Sequence, residues 1–177
     1  DPGHGAYMRI YLHTTENQDW ITRAENVANY QAGAQNGSYH YLIDDEHIIN
    51  TVTTKNTAWG VLSDNRVSIQ IAMVGTSGTV DRWSGANPNR EESPKTREQW
   101  LTHTKMLDMA AFVIAKVATE YDIPIERVDI TGVGQNRRGV SSHNNYTYGS
   151  VILRDFNGGT HWYVPQTFPY DVLLAVD

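Results

Sequence analysis

Ile10-Tyr11-Leu12-His13-Thr14-Thr15-Glu16 reads as an alternating β run that a histidine closes, inside a strand expected over residues 6–13. A side chain at such a strand end tends to face a cleft instead of a core. Thr14 or Thr15 then offers N-cap chemistry for a helix over about 18–32, where Trp20, Ala24, Val27, Ala28 and Tyr30 stand near helical spacing. Asn36-Gly37 signals a turn, and the runs 38–43 and 47–52 around Asp44-Asp45-Glu46 read as a hairpin. Ser68-Ile69-Gln70-Ile71-Ala72-Met73-Val74 is the clearest buried strand. Residues 75–96, rich in Gly, Ser, Asn and Pro, read as a long surface loop. The longest helix is expected over 96–121, on Trp100, Leu107, Ala111, Ile114 and Ala118, with Pro124 marking its end. A short strand follows at 128–130, then loop from Gly132 to a last helix start at 169–174. Strands and helices alternate, which predicts one α/β domain over 1–177, a mixed central sheet flanked by helices, with the functional loops at one sheet edge.

Composition narrows the function classes. The 14 Lys and Arg against 20 Asp and Glu give a net charge of −6 with His neutral, so neither a nucleic-acid footprint nor a membrane-binding patch is expected. There is no cysteine, which excludes disulfides, thiolate metal ligands and a Cys nucleophile. No apolar run is long enough to span a bilayer, and no basic-then-apolar signal peptide is present. A chain that opens at Asp1 is expected to be a processed product or a domain of something longer.

The histidines carry the chemistry. His143, in Gly139-Val140-Ser141-Ser142-His143-Asn144, and His161, in Gly158-Gly159-Thr160-His161-Trp162-Tyr163, lie in polar segments read as loops, where function concentrates. Two imidazoles from distant parts of a chain, His13 and His143, are how a catalytic zinc site usually begins. Glu16 and Asn17 stand near enough to His13 to act as the outer partners that fix its tautomer. Tyr39-His40 opens a strand with Tyr39, Tyr41 and Ile43 on one face and His40 and Leu42 on the other, the pattern of an aromatic core strand. Asp1-Pro2-Gly3-His4-Gly5 resembles the first motif of a different zinc amidase family but lacks the rest of that pattern. No Ser nucleophile elbow is present to support a metal-independent hydrolase.

Taken in order, Leu12-His13-Thr14-Thr15-Glu16, the helix from Ala24 to Tyr30, Gly37 through Asp44, Ala58-Trp59-Gly60, Asn65, Ser68 through Gly75, Gly139 through His143, Gly159-Thr160-His161-Trp162 and Phe168-Pro169 resemble the type 2 N-acetylmuramoyl-L-alanine amidase family. That family shares its fold with peptidoglycan recognition proteins and includes many bacteriophage endolysins. The Thr-His-Trp form is most similar to endolysins of phages that infect actinobacteria. The resemblance implies a Zn²⁺ cofactor held by His13, by His143 and by an Asp or Cys just before a Pro-Gly near the end of the chain. Here that third position falls on Tyr163-Val164-Pro165, with neither Asp nor Cys. His161, Tyr163 and Asp155 are the candidate replacements, beside a site with no third protein ligand at all. A phenol, with a pKa of about 10, is the poorer donor until a metal acts on it.

The resemblance also implies roles. Tyr39 matches the family's catalytic Tyr, and His161 matches a position that assists catalysis, while His40, Trp59 and Trp162 stand near the expected cleft. The implied reaction is hydrolysis of the amide between N-acetylmuramic acid and L-alanine of bacterial peptidoglycan. The implied enzyme is a monomer that acts from the host cytoplasm on release to the wall, or after secretion. The alternative is a peptidoglycan-binding module that has lost its third ligand and no longer cuts.

Overall fold

Alternation in β1 (Arg9–Thr14) sends Arg9, Tyr11 and His13 to one face and Ile10, Leu12 and Thr14 to the other, all of them buried. The computed structural model describes residues 7–17, 20, 22–34, 36–78, 95–152 and 164–175. In it β1 is flanked by β4 (Ser68–Met73) and β5 (Gly139–Ser142), both parallel to it. Beyond β4 lie β2 (Tyr41–Ile43), parallel to β4, and β3 (Ile48–Asn50), antiparallel to β2, so the sheet runs β3-β2-β4-β1-β5. The expected α/β fold with a mixed sheet is present.

Register decides where His13 ends up. Ile10 stands opposite Ile69, Leu12 opposite Ile71 and Thr14 opposite Met73. This apolar face packs on α3 (Thr104–Tyr121), whose buried Met106, Leu107, Ala110, Val113, Ile114, Val117 and Ala118 recur at helical spacing. Burying one Leu or Ile there is worth about 1.5–3 kcal/mol, and a one-residue slip would turn every such side chain away from α3. The slip would also bury His13 against the helix. The opposite face is polar, with Arg9, Tyr11 and His13 beside Ser68, Gln70 and Ala72. Arg9 is fully enclosed and satisfied there by the Asp64 carboxylate, the Asn136 side chain and the Arg137 carbonyl at 2.8–3.2 Å.

Several elements depart from the sequence reading, each for a local reason. Helix α1 (Ala24–Gly33) begins later than residue 18, and its N-cap, Arg23, has no side-chain cap. Asp44, in the hairpin turn, does the capping from a distance by accepting the Ala24 N–H at 2.8 Å, along with those of Glu46 and His47. The helix expected over 96–121 is two, α2 (Arg97–Leu101) and α3. Thr96 caps the first through a capping box with Gln99. The break falls at His103, which is buried, stacks on Trp20 at 4.1 Å and meets the Asp45 carboxylate at 3.3 Å.

The strand expected at 128–130 is reduced to one bridge between Arg127 and Val140, because Asp129 caps α4 (Ile130–Gly134) through the Gly132 N–H. The segment after Gly132, expected as loop, holds both β5 and α5 (His143–Ile152). Gly149 is what lets α5 lie against α4: a Cβ there would stand 2.7 Å from the Ile130 carbonyl oxygen. A last helix, α6 (Tyr170–Leu173), begins close to where it was expected. Of the expected loop at 75–96, residues 79–94 lie outside the described residues.

Asp44 gives the fold a pH dependence. Burial alone would raise the pKa of its carboxyl, but three backbone N–H donors and His47 carry it below the usual carboxylate value. Its contribution is therefore fully present above about pH 4, the unfolded value, and is lost as pH falls through the depressed folded value. We expect Asp44→Ala to lower unfolding stability by about 1–3 kcal/mol at neutral pH, as three donors lose their acceptor. Urea melts at pH 7 and pH 3 check this: the gap between wild type and variant should narrow in acid, and a gap that widens would contradict it.

Candidate active site

Parallel strands β1 and β5 end at the same edge of the sheet, and each has a histidine within one residue of its end: His13 just before Thr14, the last residue of β1, and His143 just after Ser142, the last of β5. Leu12 pairs with Ser142, so the next residue of each chain, His13 and His143, stands side by side. Both rings are buried, 5.0 Å apart between centroids and nearly perpendicular, with the two Nδ1 atoms 3.2 Å apart. His143 is thus the first residue of α5, not part of a loop.

The outer partner of His13 is Gln70, not Glu16 or Asn17: His13 Nε2 meets Gln70 Oε1 at 2.5 Å. Gln70 Nε2 donates to Ser68 Oγ at 2.6 Å, and Ser68 Oγ donates to the Asp64 carbonyl at 2.7 Å. The Asp64 carboxylate is itself gripped by Arg9 and by the Tyr11 hydroxyl. Glu16 turns the other way, with φ at 56°, and accepts from Thr14 Oγ1 and the Ser77 N–H. His40 is buried structure: it accepts the Gln70 N–H at Nδ1 and donates from Nε2 to the Asn56 carbonyl, both at 2.9 Å. Burial lowers its pKa, so it serves as a neutral brace between β2 and β4.

Tyr39 packs its ring on His13 at 4.9 Å between centroids. Desolvation, and then the charge on Glu16, push its phenol up to about 12, so Tyr39 is a hydrogen-bond donor at any physiological pH. Beside it lies a cleft of about 350 Å³ between α1 and the loop after β1, lined by Thr15, Asn17, Asn26, Val27, Gln31 and Tyr39 among others. Trp59 is exposed, with its backbone tied on both sides to Ser38.

His161, Tyr163 and Asp155, the candidates for a third ligand, lie outside the described residues, as does Trp162. Among the described residues no group of three His, Asp or Glu side chains is placed to hold a metal. The pair itself fits zinc. Two nitrogens bound tetrahedrally at about 2.0–2.1 Å stand about 3.3–3.4 Å apart, and the two Nδ1 atoms are 3.2 Å apart. Just past the segment that carries the third-ligand candidates, Gln166 Nε2 donates to Asn144 and Asn145, the residues that follow His143.

The α/β sheet thus gathers two imidazoles, a phenol and a cleft near the ends of parallel strands. The family model described as N-acetylmuramoyl-L-alanine amidase matches residues 5–155, and the chain belongs to that family. Membership makes peptidoglycan the substrate class and amide hydrolysis the reaction class. Solved structures share the fold. Staphylococcus aureus hydrolase AmiA, solved with its ligand, is 22% identical with a TM-score of 0.63, over 97% of this chain and 71% of that one. The structure of PlyL is 21% identical with a TM-score of 0.51, over 90% and 89%. The endolysin amidase LysCS from Clostridium intestinale is 10% identical with a TM-score of 0.54, over 96% and 82%. A comparison with curated proteins found no match.

Sequence reasoning passed over Gln70, Ser68 and the Asp64 carbonyl. One signal was available: a lone amide inside the otherwise apolar run Ile69-Gln70-Ile71-Ala72, on the face that His13 shares.

Proposed function

We propose that the chain is a zinc-dependent N-acetylmuramoyl-L-alanine amidase of the endolysin type, acting at the bacterial wall. The observation that carries this reading is the 3.2 Å approach of the His13 and His143 Nδ1 atoms at the edge of a family-typical sheet. His13 and His143 are two ligands, and the third comes from His161, Tyr163 or Asp155. When bound, zinc supplies Lewis acidity toward the scissile carbonyl and activates water near neutral pH.

The protein's own groups do the rest. The cleft lined by Thr15, Asn17, Asn26 and Gln31 offers neutral donors and acceptors suited to the amides of a stem peptide. Tyr39, protonated and packed on His13, donates to the oxygen on which negative charge develops. As water adds to the carbonyl carbon and the C–N bond breaks, the leaving amine of L-alanine takes a proton, a role that suits His161 if it is not a ligand.

Digestion of purified walls tests the reaction. We expect new L-alanine amino termini without new reducing sugar ends, loss of both release and lysis on chelation, and recovery with added zinc. New reducing ends would make the enzyme a glycosidase. Wall binding with no release would make it the binding module.

A further inference from the structure

We infer that Gln70 is a positioning residue for His13: it holds the ring as the Nε2–H tautomer, with the Nδ1 lone pair facing His143. Hydrogen-bond direction requires this. The Asp64 carbonyl can only accept, so Ser68 Oγ gives its proton to it and has lone pairs left for Gln70. Gln70 must then turn its NH₂ toward Ser68, which leaves Oε1, an acceptor, 2.5 Å from His13 Nε2. Only a protonated Nε2 satisfies that contact, and the proton is therefore absent from Nδ1 in the neutral ring. The direction of a backbone carbonyl three links away thus sets the face that His13 offers.

The surroundings keep the chain of bonds from inverting. Ser68 and Gln70 are fully buried, so water offers no competing partner. The Gln70 backbone is fixed on both sides by His40, whose N–H donates to the Gln70 carbonyl and whose Nδ1 accepts the Gln70 N–H. Gly60 closes over the contact: a Cβ there would lie 3.0 Å from Gln70 Oε1 and 3.3 Å from His13 Cε1, tight enough that the amide or the ring would have to give by a few tenths of an ångström. At the far end, Arg9 and Tyr11 lock Asp64. Outer partners of this kind orient a ligand and raise its basicity, and their loss commonly weakens metal binding 10- to 100-fold.

The inference rests on the zinc reading only for its consequence, so two measurements separate them. The first is the tautomer of His13 in the metal-free protein, read by long-range ¹H–¹⁵N correlation and assigned by its absence in His13→Ala. We expect the Nε2–H form in wild type and loss of that preference in Ser68→Ala, which touches neither ring. An Nδ1–H ring in wild type overturns the inference. The second is zinc affinity by competition with a chromophoric chelator. Gln70→Leu should bind about 10- to 100-fold more weakly, and Gln70→Glu, which keeps an acceptor at Nε2, should stay within about threefold of wild type. Equal affinities in the two variants, whether both weak or both strong, would contradict a positioning role. If Gln70→Leu does not fold, the Ser68→Ala spectrum decides. If wild type takes up no zinc, the metal reading fails and the tautomer alone judges Gln70.

Discussion

His13→Ala and His143→Ala are each expected to fall from about one zinc per chain to near none and to lose wall lysis by three orders of magnitude or more, about 4 kcal/mol of barrier. The size of the effect follows from geometry. The two Nδ1 atoms stand 3.2 Å apart on neighbouring strand ends, and removing either leaves one imidazole to face the ion. The substitutions also touch the fold. His13→Ala leaves Gln70 Oε1 buried without its donor, at about 1–3 kcal/mol, so each variant needs a thermal melt beside its zinc content. A folded variant of either kind with normal zinc occupancy would remove that histidine from the site.

Tyr39→Phe is expected to keep its zinc and lose most of its turnover, by about 10²–10³ in kcat, the usual cost of one donor to a developing oxyanion. The ring packing on His13 survives the change and only the hydroxyl is lost. Because burial pushes this phenol up to about 12, Tyr39 stays protonated to beyond pH 10. Any alkaline loss of activity below that pH should therefore persist, with unchanged midpoint, in the residual activity of Tyr39→Phe. Unchanged turnover would take the hydroxyl out of the mechanism. A lost metal would make Tyr39 a support for the ligands instead.

What could be read from the sequence followed the strength of its apolar pattern. β1, β4, the hairpin and the body of α3 all carry buried Ile, Leu, Val or Met at clear spacing, and these elements appear close to where the pattern puts them. The half of the site built on β5 and α5 was hidden, because Gly139-Val140-Ser141-Ser142 and His143-Asn144-Asn145-Tyr146 are poor strand and helix formers on propensity. Tertiary contacts make them regular. Ser141 Oγ donates to the Val128 carbonyl, Asn145 Nδ2 reaches the same oxygen, and Gly149 closes α5 onto α4. His13 and His143 were thus visible as residue types in a motif, while their pairing depended on a strand that no periodicity announced.

The outer partner of His13 was misplaced for a related reason. Glu16 and Asn17 are near in sequence, but β1 continues to Thr14 and Glu16 turns toward Ser77. Gln70 reaches His13 because the Tyr11–Gln70 and His13–Ala72 register sets the amide diagonally beneath the ring. Contact across a sheet follows register, which a single sequence shows only indirectly.

X-ray absorption at the zinc edge, on the protein purified as active enzyme, tests the central claim most directly. The account predicts about one zinc per chain, with at least two imidazole nitrogens at about 2.0–2.1 Å, and a zinc-edge signal reduced to near background in His143→Ala. Active protein without zinc, or zinc whose nearest shell holds no imidazole, would contradict it.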